Sequence, residues 1–172
     1  MHGGTRKIVI SALLIAVDVI LTRLLAINTP IMKIGLGFAA VALCGAIYGP
    51  AWAALTAALA DIIGSLLFPT GAYFPGFTLT AALTGVIFGL FLGRGKTGKG
   101  NAVLAAAMNT LLVSFLANTA MISYISGADY FSLLAARAIQ MAIMFPVQAA
   151  VLILFRSSKT IAGLIEKEKA AS

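Results

Sequence analysis

The chain is short of the residues that most often carry out chemistry. It has one histidine, His2, and one cysteine, Cys44, among 172 residues. A histidine-containing metal site or a histidine-activated nucleophile is therefore excluded, and Cys44 has no partner for an internal disulfide. Paired acids at catalytic spacing are also missing, since the chain has only five acidic residues. We predict a protein that is not an enzyme and that has no metal or cofactor site.

A nucleotide-binding loop is also excluded. The string from Gly93 to Thr97 reads Gly-Arg-Gly-Lys-Thr, which resembles the end of a phosphate-binding loop. That motif needs a further glycine five residues before Gly95, where this chain has Leu90, and it needs a preceding strand. The chain is therefore not expected to hydrolyse ATP.

Long apolar stretches fill almost the whole chain. Hydrophobic residues make up 61% of the sequence, charged residues 10%, and the mean hydropathy is +1.06. A helix needs about 20 apolar residues to cross a bilayer. The sequence predicts an all-α integral membrane protein, a six-transmembrane-helix bundle that forms one domain over residues 1–172, with spans at 8–27, 36–48, 51–68, 77–92, 102–124 and 133–155.

Most basic residues lie in three clusters beside the ends of these stretches. Nine of the 12 lysines and arginines are Arg6, Lys7, Arg94, Lys96, Lys99, Arg156, Lys159, Lys167 and Lys169. An even number of spans separates the clusters, so the positive-inside rule predicts that both termini are cytoplasmic. The net charge of +7 is then an orientation signal in the bilayer, and we expect no nucleic-acid partner. The tail 166–172 is predicted to be a frayed end of the sixth helix.

Several polar residues interrupt the apolar stretches at membrane depth, where they are costly and usually functional. Counting along ideal helices places most of them toward the outer face, with Asp18 near the middle of the first span. Ion pairs that hold the bundle together, for instance Asp61 with Arg137, are one explanation. A solute cavity open to the outside explains better why these residues gather toward one face. The residues concerned are Arg23, Asp61, Asn118, Arg137 and Gln140.

The charges of this outer half indicate the kind of solute. The cations Arg23, Lys33 and Arg137 outnumber the acids Asp61 and Asp129, which suits an anionic ligand group. A buried carboxylate, either Asp61 or Asp18, also favours a donor-rich amino heterocycle. The sequence thus predicts a ligand with an aminated ring at one end and carboxylates at the other.

The outer loop 69–78 contains two prolines and two glycines, so its shape is specified by the sequence. We interpret it as a lid over the cavity. Its aromatic residues Tyr73, Phe74 and Phe77 suit either stacking on a flat ring or an interfacial aromatic belt.

The stretch Gly71-Ala72-Tyr73-Phe74-Pro75-Gly76-Phe77-Thr78-Leu79-Thr80, followed by Ala82-Leu83-Thr84-Gly85, closely resembles the folate-specific S component of energy-coupling factor (ECF) vitamin transporters. The resemblance covers nearly the full length of the chain. Further matching positions are residues 29–35, 48–50, Asp61, Asn118-Thr119, 137–140 and 146–148. One departure is Met121, where the resemblance implies a large aromatic residue.

The resemblance implies a cell-membrane subunit that binds folate from outside and joins an energising module. That module consists of a transmembrane coupling protein and two cytoplasmic ATPases, which would supply the ATP hydrolysis that this chain lacks. The implied folate-binding residues are Arg23, Lys33, Asp61, Tyr73, Phe74, Gly76, Phe77, Asn118, Arg137 and Gln140.

Helix one carries a predicted docking surface for the coupling protein. Ala12 and Ala16 are small residues four apart, which lets another helix approach closely. Asp18 lies about 140° around an ideal helix from them and should face the bundle. Arg23 falls on the alanine face of the same wheel, so either the helix unwinds before Thr29 or Arg23 snorkels outward.

Three alternatives remain beside folate capture. They are an S component for another vitamin such as riboflavin or pantothenate, a self-sufficient channel or secondary carrier, and a membrane enzyme, which the missing histidine and paired acids disfavour.

Overall fold

The computed structural model describes residues 3–28, 33–69, 73–93 and 98–171. A helix overlaps each of the six predicted apolar stretches, and a further short helix follows. The helices are α1 Gly3–Val19, α2 Phe38–Tyr48, α3 Pro50–Leu67, α4 Pro75–Leu92, α5 Lys99–Ser126, α6 Tyr130–Ser157 and α7 Lys159–Ala171.

Two of these helices contain turns of π-helix. Residues Ile20–Leu24 continue α1 as a π-helical segment, and Asn109–Ala117 form a second π-helical segment inside α5. A π-helix closes i→i+5 hydrogen bonds, is rare, and is frequently found at functional sites. Hydrophobic patterning did not predict either segment.

A small hairpin follows the first π segment. Strand β1, Ile27–Asn28, pairs antiparallel with strand β2, Lys33–Ile34, so that Ile27 lies opposite Ile34. The fold is therefore almost entirely helical, as predicted, with one two-stranded element that the sequence did not indicate. We refer to this end of the bundle, with the start of α4 and the start of α6, as the hairpin end.

The turn between α2 and α3 is tight, because α2 ends at Tyr48 and α3 begins at Pro50. Gly49 has φ +85°, a conformation that favours glycine, and Pro50 occupies the first turn of α3, where its missing N–H costs nothing.

Helices α3 and α4 pack with their backbones in contact. A Cβ atom on Gly85 would lie 2.4 Å from the carbonyl oxygen of Ala53, and one on Gly89 would lie 2.2 Å from the Cα of Pro50. Small residues permit this close approach, as they do in other membrane bundles. The seam fixes the position of the α3 and α4 side chains that face the interior.

The outer surface of the bundle is apolar. Among the described residues, four helices have the length and hydropathy to cross a membrane, namely α3, α4, α5 and α6, and α2 is a shorter apolar helix. Large side chains such as Leu79, Leu90, Ile139 and Leu154 are exposed on them. Because lipid, unlike water, can cover such a surface at no cost, these features indicate a multi-pass membrane protein.

The chain beyond the sixth helix differs from the prediction. The backbone breaks helical geometry at Ser158, and α7 then packs as a separate helix on α2 and α6, with Ile165 buried. The prediction that the tail frays from the sixth helix was wrong, because the buried isoleucine holds α7 against the bundle.

Asp129 begins α6 as its N-cap. Its carboxylate accepts hydrogen bonds from the backbone N–H of Ser132 at 2.9 Å and from the Ser132 hydroxyl at 3.0 Å. These hydrogen bonds lower the pKa of the Asp129 carboxyl, because they stabilise its charged form. Asp129 therefore caps a helix and is not one of the cavity-lining residues described below.

Candidate functional site: a polar cavity in the bundle

A polar cavity of ≈ 190 Å³ lies inside the bundle toward the hairpin end. It is lined by residues of α1 to α6 and of the segment after the hairpin: Asp18, Thr22, Arg23, Gly35, Gly37, Phe38, Val41, Ala57, Ala60, Asp61, Ala81, Thr84, Asn109, Ser114, Asn118, Arg137, Gln140, Met144 and Gln148. The predicted gathering of polar side chains is confirmed. Asp18, Arg23, Asp61, Asn118, Arg137 and Gln140 all line this one cavity.

Arg23 reaches the cavity because of the first π segment. The i→i+5 hydrogen bonds of this segment close a turn that is one residue larger than that of an α-helix. The side chains that follow are therefore shifted around the helix axis. The Arg23 side chain is only 9% exposed and contacts α3, so it does not snorkel outward. Of the two expectations for Arg23, outward snorkelling is wrong, and the helix leaves α-helical geometry before Thr29 through a π-helical segment.

The partner of Arg23 is Asp61. Arg23 Nη2 lies 3.4 Å from Asp61 Oδ1 and donates to the Ser65 hydroxyl at 2.8 Å. Asp61 Oδ2 accepts from the Thr78 hydroxyl at 2.8 Å, and Thr78 in turn lies 2.9 Å from the hydroxyl of Tyr73. A hydrogen-bonded chain thus connects the cavity to the loop before α4.

Arg137 has a different environment. It is 4% exposed, and Nη2 donates to the Ser114 carbonyl oxygen at 3.0 Å. Its Nε and Nη1 atoms are buried and have no hydrogen-bond partner in the part of the chain that the structure describes. The ion pair between Asp61 and Arg137 that we considered from the sequence is not formed, since Asp61 pairs with Arg23 instead. A buried, incompletely paired guanidinium is costly unless an anion or acceptor reaches it.

Amide and hydroxyl side chains line the rest of the polar wall. Thr80 donates to Asn118 Oδ1 at 2.7 Å, close to the hairpin end. Further along the bundle, Thr84 donates to Asn109 Oδ1 at 2.8 Å, and Asn109 Nδ2 donates to Gln148 Oε1 at 3.0 Å. Our residue predictions missed this inner group. The cost of an amide at membrane depth was the signal that could have found Asn109 and Gln148.

Comparison with known proteins shows which family this chain belongs to. The model of the family described as ECF-type riboflavin transporter, S component, matches residues 4–157. The chain belongs to the ECF-type S components. This is a family of transporter subunits and not of enzymes.

Two curated relatives are both named Folate transporter FolT. The protein from Clostridium novyi (strain NT) is 40% identical over 141 residues, which are 82% of this chain and 82% of the relative. The protein from Leuconostoc mesenteroides subsp. mesenteroides is 30% identical over 169 residues, covering 95% of this chain and 91% of the relative. A solved structure described as FolT bound with folic acid matches with a TM-score of 0.83 and 35% identity, over 88% of this chain and 92% of that one.

The aromatic residues that we predicted to stack on a ligand, Tyr73, Phe74 and Phe77, are not among the described residues that line the cavity of this S component. Phe74 packs against Phe77 with ring centroids 6.1 Å apart and against Tyr124 at 6.0 Å, and Tyr73 is half exposed. A Cβ on Gly76 would lie 2.4 Å from the Phe74 ring and 2.6 Å from the sulfur of Met121. Gly76 therefore allows Phe74 and Met121 to close over the start of α4. Stacking of these rings on a ligand stays a prediction.

Two predictions fall partly outside the described residues. The predicted lid includes residues 70–72, which the structure does not describe. The backbone of Lys33 forms part of β2, but its side chain lies outside the description.

The predicted docking alanines are on the surface. Ala12 and Ala16 are both exposed, and Asp18 on the other side of α1 is buried and lines the cavity, as the helical wheel predicts. Contact of this face with a coupling protein stays a prediction.

Proposed function

We propose that this S component binds folate and captures it from the outer face of the cell membrane for ATP-driven uptake. The observation that carries the proposal is Arg137, whose Nε and Nη1 atoms are buried at the cavity without a partner among the described residues. Folate ends in a glutamate, and its carboxylates are the acceptors that such a guanidinium binds best. The two relatives named as folate transporters support the same ligand.

The rest of the cavity suits the other end of folate. The aminated ring offers adjacent N–H donors, which match a carboxylate. Asp61 and Asp18 both line the cavity and are the candidates for this contact. Asn118 and Gln140 also line the cavity and would add hydrogen bonds, while Tyr73, Phe74, Gly76 and Phe77 would close over the bound ligand. Lys33 would add a cation at the hairpin end.

The proposed topology has six membrane crossings with both termini in the cytoplasm. The three basic clusters support this orientation through the positive-inside rule, and the cavity then lies toward the outside. In this arrangement α7 lies at the cytoplasmic surface.

The proposed partners are a transmembrane coupling protein and two cytoplasmic ATPases of an ECF module. Ala12 and Ala16 would form the docking surface, since small exposed residues four apart allow a partner helix to approach closely. The module would hydrolyse ATP, because the chain has no phosphate-binding loop of its own.

Ligand binding to the purified chain tests the proposal. We expect titration calorimetry to show folate binding, and folate to co-purify with the chain from cells. Riboflavin is the second candidate, because the matching family model is described for a riboflavin transporter. Tight binding of riboflavin or pantothenate, with none of folate, would overturn the assignment of the ligand.

Reconstituted vesicles test the transport step. Vesicles that contain the chain alone should accumulate no folate, whereas vesicles that also contain a coupling protein and ATPases should accumulate folate when ATP is supplied. Uptake by the chain alone would instead show a self-sufficient carrier or channel.

A further inference from the structure

The whole net charge of this chain belongs to one end of the bundle. That end, which we call the basic end, is formed by the starts of α1 and α5, the ends of α4 and α6, and α7. Its sequence segments carry nine of the 12 lysines and arginines but only two of the five acids, Glu166 and Glu168, which gives +7. The other three cations, Arg23, Lys33 and Arg137, equal the three aspartates in number. The rest of the chain is therefore formally neutral.

The cations on the α1 side of the basic end contact the protein itself. Arg6 forms an ion pair with Glu168. The Nζ atom of Lys7 lies 4.2 Å from the ring centre of Trp52 and 5.3 Å from that of Tyr48, which are cation–π distances. Arg6 and Lys7 are both half-buried in these contacts. Their charges are therefore directed at groups of the same chain.

Two lysines on the other side of the basic end are placed differently. Lys99 is the first residue of α5, and Lys159 is the first residue of α7, directly after α6. Both are exposed, and neither has an ion-pair partner among the residues that the structure describes. Helices α5 and α6 pack against each other, and Arg156 near the end of α6 donates to the carbonyl oxygen of Leu92 at the end of α4. The ends of three membrane helices thus meet where these two cations are exposed.

Exposed apolar side chains follow these lysines along the membrane helices. Leu104 on α5 and Leu154 on α6 are both more than half exposed. Leu104 is five residues after Lys99, which corresponds to about 7 Å along the helix. A phospholipid has the same arrangement of groups, with a phosphate at the membrane surface and acyl chains directly below it. A soluble anion would use the lysines and leave the leucines uncovered, so the surface suits a lipid better.

We infer that this side of the basic end binds anionic phospholipids, with Lys99 and Lys159 contacting the headgroup and Leu104 and Leu154 contacting the acyl chains. Cations next to a membrane helix attract anionic lipids by about 1 kcal/mol each, or about fivefold in affinity. The inference goes beyond folate binding. It rests on the proposed topology only in assigning the lipids to the cytoplasmic leaflet.

Spin-labelled lipids test the inference. The purified chain is placed in phosphatidylcholine nanodiscs with a trace of labelled phosphatidylglycerol, which is anionic, or of labelled phosphatidylcholine. Electron paramagnetic resonance measures the fraction of each label that the protein immobilises. We expect the unsubstituted chain to prefer phosphatidylglycerol about fivefold, and Lys99→Gln combined with Lys159→Gln to remove most of this preference. Concentrated salt should also reduce the preference, because the charges are exposed.

The matched control is Arg6→Gln combined with Lys7→Gln. It removes the same number of charges from the same end of the bundle, but from side chains that contact the protein itself, so the preference should remain. Because the readout is a ratio between two lipids for one variant, a loss of folded protein affects both measurements alike. Equal reductions in the two double variants would show attraction by net charge alone and would overturn the inference of a local binding surface.

A protein partner is the other occupant that the experiment can reveal. Equal immobilisation of the two lipids by the unsubstituted chain would overturn the inference. If Lys99→Gln combined with Lys159→Gln then also failed to co-purify with the energising module, the lysines would belong to a protein interface. Nanodiscs expose both membrane surfaces and the measurement needs no folate. Failure of the proposed topology or of folate binding is therefore distinguishable from failure of this inference.

Discussion

Arg23 and Asp61 form an ion pair across the cavity wall, with Nη2 and Oδ1 3.4 Å apart. The pair connects the π segment after α1 to α3, and the two side chains are only 9% and 17% exposed. Removing one member of such a pair leaves the other charge uncompensated in a poorly solvated place. The pair therefore ties the orientation of Arg23 to the charge of Asp61, and both have to be considered when either is changed.

Asp61→Asn should weaken folate binding by about 2 kcal/mol or more, because a charge-assisted contact to the ring becomes neutral. The substitution should also weaken the interaction of residue 61 with Arg23, because the ion pair is lost. Titration calorimetry on the single variants and on the double variant with Arg23→Gln measures both effects, and the double variant should lose less than the sum of the two singles. Unchanged affinity in Asp61→Asn would make Asp18 the aspartate that contacts the ligand.

Arg137→Gln should weaken folate more than a pterin that lacks the glutamate tail, since only folate loses a charged contact. The expected loss for folate is about 1.5–3 kcal/mol, or roughly ten- to a hundredfold in affinity. Arg156→Gln is the matched control, because Arg156 lies on the same helix but donates to the Leu92 carbonyl oxygen far from the cavity. Equal losses for the tailed and tailless ligands would show that Arg137 holds the helices together.

The sequence was sufficient for the parts of this fold that depend on hydropathy and charge. The cost of polar atoms in lipid made the apolar stretches visible, and it also predicted that Asp61, Asn118, Arg137 and Gln140 share one cavity. The exposure of Ala12 and the burial of Asp18 followed from ideal helix geometry. These features could be predicted because each one follows from the helical period or from depth in the membrane.

The features that the sequence did not predict depend on local hydrogen-bond register. A π turn changes which backbone groups pair without changing the hydropathy of the segment, so the wheel placed Arg23 on the wrong face. The choice of Arg23 over Arg137 as the partner of Asp61 follows from that turn. The contacts of Thr84, Asn109 and Gln148 need the positions of three helices at once, which one sequence does not supply.

Ala12→Trp combined with Ala16→Trp should abolish assembly with the coupling protein while folate binding stays within about twofold. Bulky rings prevent the close helix approach that small residues allow. Assembly is measured by co-purification of the module, and binding by titration of the isolated chain. The matched control is Leu55→Trp combined with Leu59→Trp, an exposed pair with the same spacing on α3, which should leave both unchanged. Loss of binding with retained assembly would show that this exposed face of α1 supports the cavity and does not dock the coupling protein.

Arg6 near the start of α1 and Glu168 of α7 are held together away from the cavity. Arg6 forms an ion pair with Glu168 of α7, in which Nε donates to Oε2 at 2.9 Å, and the neighbouring Lys7 lies 4.2 Å from the ring centre of Trp52. Because α7 is fixed to the bundle by the buried Ile165, this ion pair fastens the start of α1 to α2 and α6.

Charge reversal tests whether that attachment stabilises the protein. Arg6→Glu and Glu168→Arg should each lower the thermal unfolding temperature in detergent, because each places like charges together. The double variant should recover most of the loss, since it restores an ion pair with the charges exchanged. The differences should shrink in concentrated salt, which screens partly exposed charges. Folate binding should not change, because Asp18 at the cavity lies about 18 Å along α1 from Arg6. A double variant no more stable than the single ones would show that α7 is held by Ile165 alone.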